Sequence, residues 1–160
     1  MSNYTKKNYR PCVGIVLIKN GFIFAGQRLD YKSNAWQMPQ GGIEDNESPV
    51  KAAVRELKEE TGIKKKHVKI ILESKNWINY DLPKDLISKL WNGKFVGQSQ
   101  KWFAMEFLGF DSDININTKN PEFSKWQWMT KNKLLDNIVP FKKTVYENIL
   151  SQFSAKLNFK

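Results

Sequence analysis

In the segment Arg55-Glu56-Leu57-Lys58-Glu59-Glu60, three carboxylates fall within five positions. On a helix, Glu56, Glu59 and Glu60 stand at i, i+3 and i+4 and share one face. Like charges at that spacing repel, and no Lys or Arg follows Glu56 by four residues to relieve them. A cation set among the three removes the repulsion, and hard oxygen donors suit Mg2+, with Mn2+ or another divalent ion as substitutes. Arg55 reaches Glu59 at i+4, which predicts a bidentate guanidinium–carboxylate pair that orients one acid. Glu47, just ahead, is a candidate for an outer position around the same cation. Gly41 and Gly42 let the backbone come close to metal or phosphate. A solvated acidic helix face is the bland alternative. The two glycines, the Arg-Glu pair and the Gly62 stop weigh against it.

These acids need a helix, and the flanking residues supply its signals. Ser48 reads as N-cap, Pro49 as first helical residue and Gly62 as C-terminal stop. Val50, Val54 and Leu57 recur at helical spacing and are expected to face the core. Val13 to Ile18 and Phe22 to Ala25 read as strands joined at Asn20-Gly21, a hairpin signal. Tyr31 to Asn34 reads as a loop. Trp36 to Met38 reads as a short strand ended by Pro39 and Gly41-Gly42. Val68 to Glu73, Trp77 to Tyr80, Lys101 to Phe110 and Lys125 to Met129 read as further strands. Lys84 to Trp91 reads as a short helix. A terminal amphipathic helix from about Phe141 to Phe153 carries Val145, Ile149 and Phe153 on one face. Strands on both sides of a central helix, with a terminal helix, predict an α/β fold with helices on two faces of a mixed sheet.

The 160 residues fit one domain, with residues 1–8 as a disordered arm and 9–160 as the folded unit. No apolar run is long enough to cross a bilayer, and residues 1–8 carry no apolar leader core. No membrane partner is therefore expected. The single cysteine, Cys12, forms no intramolecular disulfide, fits a reducing cytoplasm and reads as a small buried hydrophobe. A net charge of +10 favours anionic partners. No helix-turn-helix or zinc pattern points that charge at DNA. His67, the only histidine, lies in a lysine-rich stretch and is assigned no catalytic role.

The 23 residues from Gly41 to Ile63 match the Nudix box, Gly-x5-Glu-x7-Arg-Glu-apolar-x-Glu-Glu-x-Gly-apolar, at every fixed position. Those positions are Gly41, Glu47, Arg55, Glu56, Leu57, Glu59, Glu60, Gly62 and Ile63. The chain thus resembles the Nudix hydrolases. The resemblance implies an α/β/α sandwich, a loop–helix–loop metal site and hydrolysis of a diphosphate linked to a nucleoside. Further stretches are similar to the bacterial branch acting on dinucleoside polyphosphates and 5'-triphosphorylated RNA. They include Tyr9-Arg10-Pro11, Ala35 to Gly42, Gly97 to Phe103, Pro121-Glu122-Phe123 with Trp126, and Val139 to Lys142. Two departures are Cys12, where that branch more often has a polar residue, and the long stretch from Leu29 to Asn34.

By that resemblance Arg10, Arg28 and Phe141 are expected near the 5' nucleotides, and Glu122 as a further metal ligand or base. Arg10, Arg28, Lys101 and Lys142 have the charge to neutralise phosphates, with Arg able to do so through paired contacts. Phe141 has the ring to stack on a base, with helix-start packing as the bland alternative. Lys142 has solvated charge as its own. Gln98 and Gln100 alternate with Ser99 and share a strand face. The expected metal set is Glu56, Glu59, Glu60, Glu122 and a Gly41 or Gly42 carbonyl; Glu59, Glu60 and Glu122 stay open as the base that activates water. The expected reaction removes pyrophosphate from 5'-triphosphorylated RNA. The alternatives are cleavage of diadenosine tetraphosphate to ATP and AMP, and a non-catalytic RNA-binding module. Crowded carboxylates disfavour the last, since they would repel phosphate without a cation.

Overall fold

The structure is a computed structural model that describes residues 8–30 and 35–160. Most of the expected arm, and the stretch 31–34 that the sequence reads as a loop, lie outside the described residues. Asn8 is already tied to the domain: its carbonyl accepts from the Val96 N–H at 2.9 Å.

Strands β1 (Tyr9–Lys19) and β2 (Phe22–Arg28) form the expected hairpin. Asn20 and Gly21 take φ of 52° and 81°, the left-handed backbone that a two-residue turn of this hand requires. β3 (Trp36–Gln37) and β4 (Gln40–Gly42) precede helix α1 (Pro49–Thr61). After it come β5 (Val68–Glu73), β6 (Ile78–Asp81), α2 (Lys84–Ile87), β7 (Gly97–Phe107), β8 (Phe123–Met129), α3 (Lys131–Asp136) and α4 (Lys143–Ser154).

One eight-stranded mixed sheet results, with main order β3-β2-β1-β7-β5. Its centre is the parallel pair β1–β7, in register from Tyr9↔Gly97 to Ile18↔Glu106. Both central strands share their outer edges. β1 pairs with β4 at Cys12 to Gly14 and with β2 at Ile18 and Lys19. β7 pairs with β6 from Gly97 to Gln100 and with β5 from Phe103 onward. The N-terminal halves of β1 and β7 are therefore walled by β4 and β6, and there the active-site cavity opens.

Alternation along the two central strands feeds two cores. Val13, Ile15, Leu17, Phe103 and Met105 pack under α1. Val16, Trp102 and Ala104 pack against Tyr146, Ile149 and Phe153 of α4. This is the expected α/β/α sandwich.

Three expectations need correction. First, β1 begins at Tyr9, not Val13, because main-chain pairing with β7 continues through a polar stretch. Likewise β7 runs from Gly97 to Phe107, and Leu108 and Phe110 are exposed beyond its end. Second, Gly41 and Gly42 do not end a strand; they pair with Val13 and Cys12 as part of β4. Third, α1 buries Ala53, Leu57 and Thr61, a stripe at i, i+4 and i+8, together with Ala52. Val50 is exposed and Val54 only half-buried. Small side chains let the helix lie close to the sheet, and the more apolar valines misled the periodicity.

Candidate active site

Local chemistry aims α1 as the sequence implies. The Ser48 side chain accepts from the Lys51 N–H, Pro49 opens the helix, and Gly62 closes it at φ 72° with its N–H bonded to the Lys58 carbonyl at 2.9 Å. Gly41 lies directly against the Glu56 carboxylate, and any Cβ there would overlap it. A Cβ on Gly42 would overlap the Arg10 guanidinium. The two glycines thus let one acid and one base approach the β4 backbone from different sides.

Arg55 holds the acidic wall together. Its Nε and Nη2 donate to the two oxygens of Glu47, both at 2.8 Å. Its Nη1 donates to Glu56 at 2.8 Å and to Glu59 at 3.2 Å, and its Nη2 also reaches the Gly42 carbonyl at 2.8 Å. The bidentate partner is therefore Glu47 rather than the expected Glu59, because the loop before α1 folds back beside the guanidinium. Hydrogen bonds from Arg55 hold the Glu47 carboxyl down at about 2. The Arg55 guanidinium is held above its ordinary value mainly by the same Glu47 bond.

The three helical acids sit in different environments. Glu59 is exposed. Burial pushes Glu56 above the usual carboxylate range, against the opposing pull of Arg55. Glu60 is 6% exposed and is pushed well above that range by burial first, then by the charges of Glu56 and Glu122. Its carboxylate accepts a long bond of 3.3 Å from the Gln40 N–H. Glu122 is exposed and lines the same cavity. Among the described residues these acids do not converge into a ready three-ligand group. A buried carboxylate with a long hydrogen bond and like-charged neighbours nevertheless fits a divalent cation, which would offset its desolvation and the repulsion. Glu56, Glu59, Glu60 and Glu122 are the side chains placed to hold it, with Gly41 lining the same space.

The cavity between these acids and the opposite wall measures about 420 Å³. Arg10, Arg28, Gln98, Phe141 and Lys142 all line it, as their types suggested. Arg10 lies under the Trp91 ring at 5.0 Å. Arg28 grips Asp30 through two bonds of 2.9 and 2.6 Å. The Phe141 ring packs beside Tyr80, 6.2 Å between centroids. Lys142 is 3% exposed and donates to Gln37 at 3.1 Å, so its reading as a solvated charge is overturned. Burial, more than the nearby Arg28, brings its amine down to about 7.

Two expected contacts are absent from the lining. Gln100 is buried beneath Gln98, donating to it at 2.8 Å and accepting from the Trp102 indole at 3.0 Å. It props Gln98 rather than facing the cavity. Lys101, one position on, points to the other face of β7 and pairs with Glu73 at 3.3 Å. His67 lies away from the cavity, 4.0 Å from Asp113. Cys12 is buried, and burial pushes its thiol up to about 11, far from a nucleophile. Gln37, Gln40, Tyr80 and Trp91 line the cavity without having been singled out in the sequence. Only Trp91 left a trace, in the Trp-Asn-Gly run that turns through three left-handed residues.

The NUDIX domain family model matches residues 8–149. The chain belongs to the Nudix family. A protein from Roseobacter denitrificans named RNA pyrophosphohydrolase is 53% identical over 93% of this chain and 94% of its own. A protein of the same name from Rickettsia conorii is 50% identical over 97% and 98%. Among solved structures, the E. coli dihydroneopterin triphosphate pyrophosphohydrolase superimposes with a TM-score of 0.69 over 89% of this chain and 97% of its own, at 19% identity. The C. elegans Ap4A hydrolase binary complex gives 0.65 over 91% and 98%, also at 19% identity. These structures show the Nudix fold. As a Nudix hydrolase the chain is an enzyme of a family that generally uses divalent metals. No helix among the described residues is long and apolar enough to cross a membrane.

Proposed function

We propose that this Nudix hydrolase removes pyrophosphate from 5'-triphosphorylated RNA, with Mg2+ as its cation and Mn2+ as a substitute. One observation carries the reading: a single cavity sets the Arg55-clamped acids opposite Arg10, Arg28, Lys142 and the Phe141 ring. Acids and cation serve the phosphoanhydride, the basic groups its charge, and the ring a base. Two relatives that bear the name RNA pyrophosphohydrolase and are at least half identical over nearly the whole chain support it.

When bound, the cation neutralises the polyphosphate and lowers the pKa of a water. Glu56, Glu59, Glu60 and Glu122 would hold the cation, Glu56 and Glu60 being the more buried of the four. Arg55 keeps Glu56 and Glu59 turned inward. Glu59, Glu60 and Glu122 are the groups positioned to take the proton from water. Arg10, Arg28 and Lys142 hold the phosphates, and Phe141 stacks on a base. Water adds at phosphorus, the anhydride bond breaks, and pyrophosphate leaves a 5'-monophosphate end. Residues 9–160 act as one domain, and the lone buried cysteine suits a reducing cytoplasm.

The same cavity has the groups to hold a dinucleoside polyphosphate, which would give ATP and AMP from diadenosine tetraphosphate. Product analysis on both substrates, with and without Mg2+, tests the reading. Cation-dependent release of pyrophosphate from RNA is expected. An inert RNA beside a cleaved dinucleotide would overturn it.

A further inference from the structure

The outer face of α1 carries a second concavity that the catalytic reading does not use. It measures about 690 Å³ and lies between α1, the turn after it and β5. Its apolar surface is Val50, Val54 and Ile70, with Val50 and Ile70 each 39% exposed. Its rim is Lys51, Lys58, Lys64, Lys65 and Lys66, all exposed. Among the described residues no carboxylate pairs with any of these five lysines, and no acid lines the groove. Five uncompensated cations around exposed aliphatic side chains form a surface complementary to a chain of phosphates carrying apolar faces.

The groove and the catalytic cavity occupy neighbouring arcs of one helix. Arg55 stands at the border: it lines the groove and also bonds Glu56 and Glu59. Lys58 belongs to the groove, and the next residue, Glu59, to the cavity. The border at Arg55, Lys58 and Glu59 therefore puts the groove next to the acids that would hold the strand's 5' end.

We propose that the lysine-rimmed groove binds the single-stranded body of an RNA whose 5' end occupies the catalytic cavity. The lysines take backbone phosphates, and Val50, Val54 and Ile70 support the bases. This inference deepens the RNA reading and rests on it. An acidic protein segment would find the same charges, but only a strand of the substrate is delivered to the groove by the neighbouring site.

The test is a triple variant, Lys51→Glu, Lys58→Glu and Lys65→Glu, assayed with Mg2+ on a triphosphorylated dinucleotide and on a triphosphorylated 15-nucleotide RNA. All three side chains are solvent-exposed, and an unchanged dinucleotide rate shows an intact fold. The 15-mer is expected to lose roughly tenfold in kcat/KM through KM, with dinucleotide turnover unchanged. The salt dependence of the KM for the 15-mer should flatten by about two counterions, at about 0.7 per phosphate contact on a single strand. Equal rates for variant and wild type on the 15-mer would overturn the groove. If wild type cleaves no RNA, the functional reading fails, and binding of a 5'-hydroxyl 15-mer measured by anisotropy decides the groove alone. Loss of that binding in the variant supports the groove, and unchanged binding overturns it.

Discussion

The two walls of the catalytic cavity are built in opposite ways. Apart from Glu122, the acidic wall comes from one continuous stretch, Gly41 to Glu60, in which a single guanidinium ties Glu47, Glu56 and Glu59 together. The opposite wall is gathered from β1, β2, β6, β7 and the turn before α4, and its members are held by packing and separate bonds. The acidic wall is dense, like-charged and strained toward a cation. The other is spread out and shaped to a ligand. Chemistry is concentrated where the chain is local, and selectivity where the topology brings distant strands together.

Changes to the acidic wall should strike kcat, and changes to the other wall should strike KM. The largest effect is expected for Glu60→Gln, with kcat down by about 10²–10⁴. Because Glu60 is buried at a cost, the same variant should melt higher than wild type when no metal is present. A calorimetric scan in chelator checks this. Next, Arg55→Ala should lower activity about 10–100-fold and cost about 1–3 kcal/mol in urea unfolding, since Glu47 and Glu56 lose their donor. Arg55→Lys should recover little, because one amine cannot replace the fork to Glu47. On the other wall, Phe141→Ala should raise KM by about tenfold with kcat little changed, consistent with about 1–3 kcal/mol per stacked base. A kcat loss as large as that of Glu60→Gln would erase the contrast between the walls.

Lys142 sharpens the comparison through pH. Its folded value is about 7 against an ordinary 10.5, so between these pH values the unfolded chain holds a proton that the folded chain lacks. Stability should therefore rise with pH across that window, and Lys142→Met should remove the rise. Substrate affinity should fall as pH climbs through about 7, because the amine loses its charge. The smallest effect is expected for Lys101→Met: paired with Glu73 outside the cavity, it should change kcat/KM by less than about twofold.

The contrast also governs what could be read before folding. Helix α1 with its Ser48 and Gly62 caps, and the Asn20-Gly21 turn, depend on neighbours within a few positions, and each stands where its spacing implied. The α/β/α layering was also legible, because α4 carries its apolar stripe at regular intervals. Long-range facts were not. That Lys142 is buried while Lys101 faces away depends on which side of a strand, or which turn of chain, meets the cavity. The depth of Glu60 depends on β4 and Gln40. The fold-back of Glu47 onto Arg55 depends on a loop whose shape carries no periodic signal. Val50 and Val54 were misassigned because the helix chose its closest fit to the sheet, through alanines, over its most apolar stripe.

The central claim is that the α1 acids exist to bind cations that grip phosphate. A crystal structure with Mn2+ and a non-hydrolysable triphosphate analogue, read by anomalous scattering, tests it most directly. Manganese peaks bounded by Glu56 and Glu60 and touching the analogue are expected, with Arg55 still bonded to Glu47. An analogue bound in the cavity with no manganese beside it, and Glu60 still bonded only to Gln40, would contradict it.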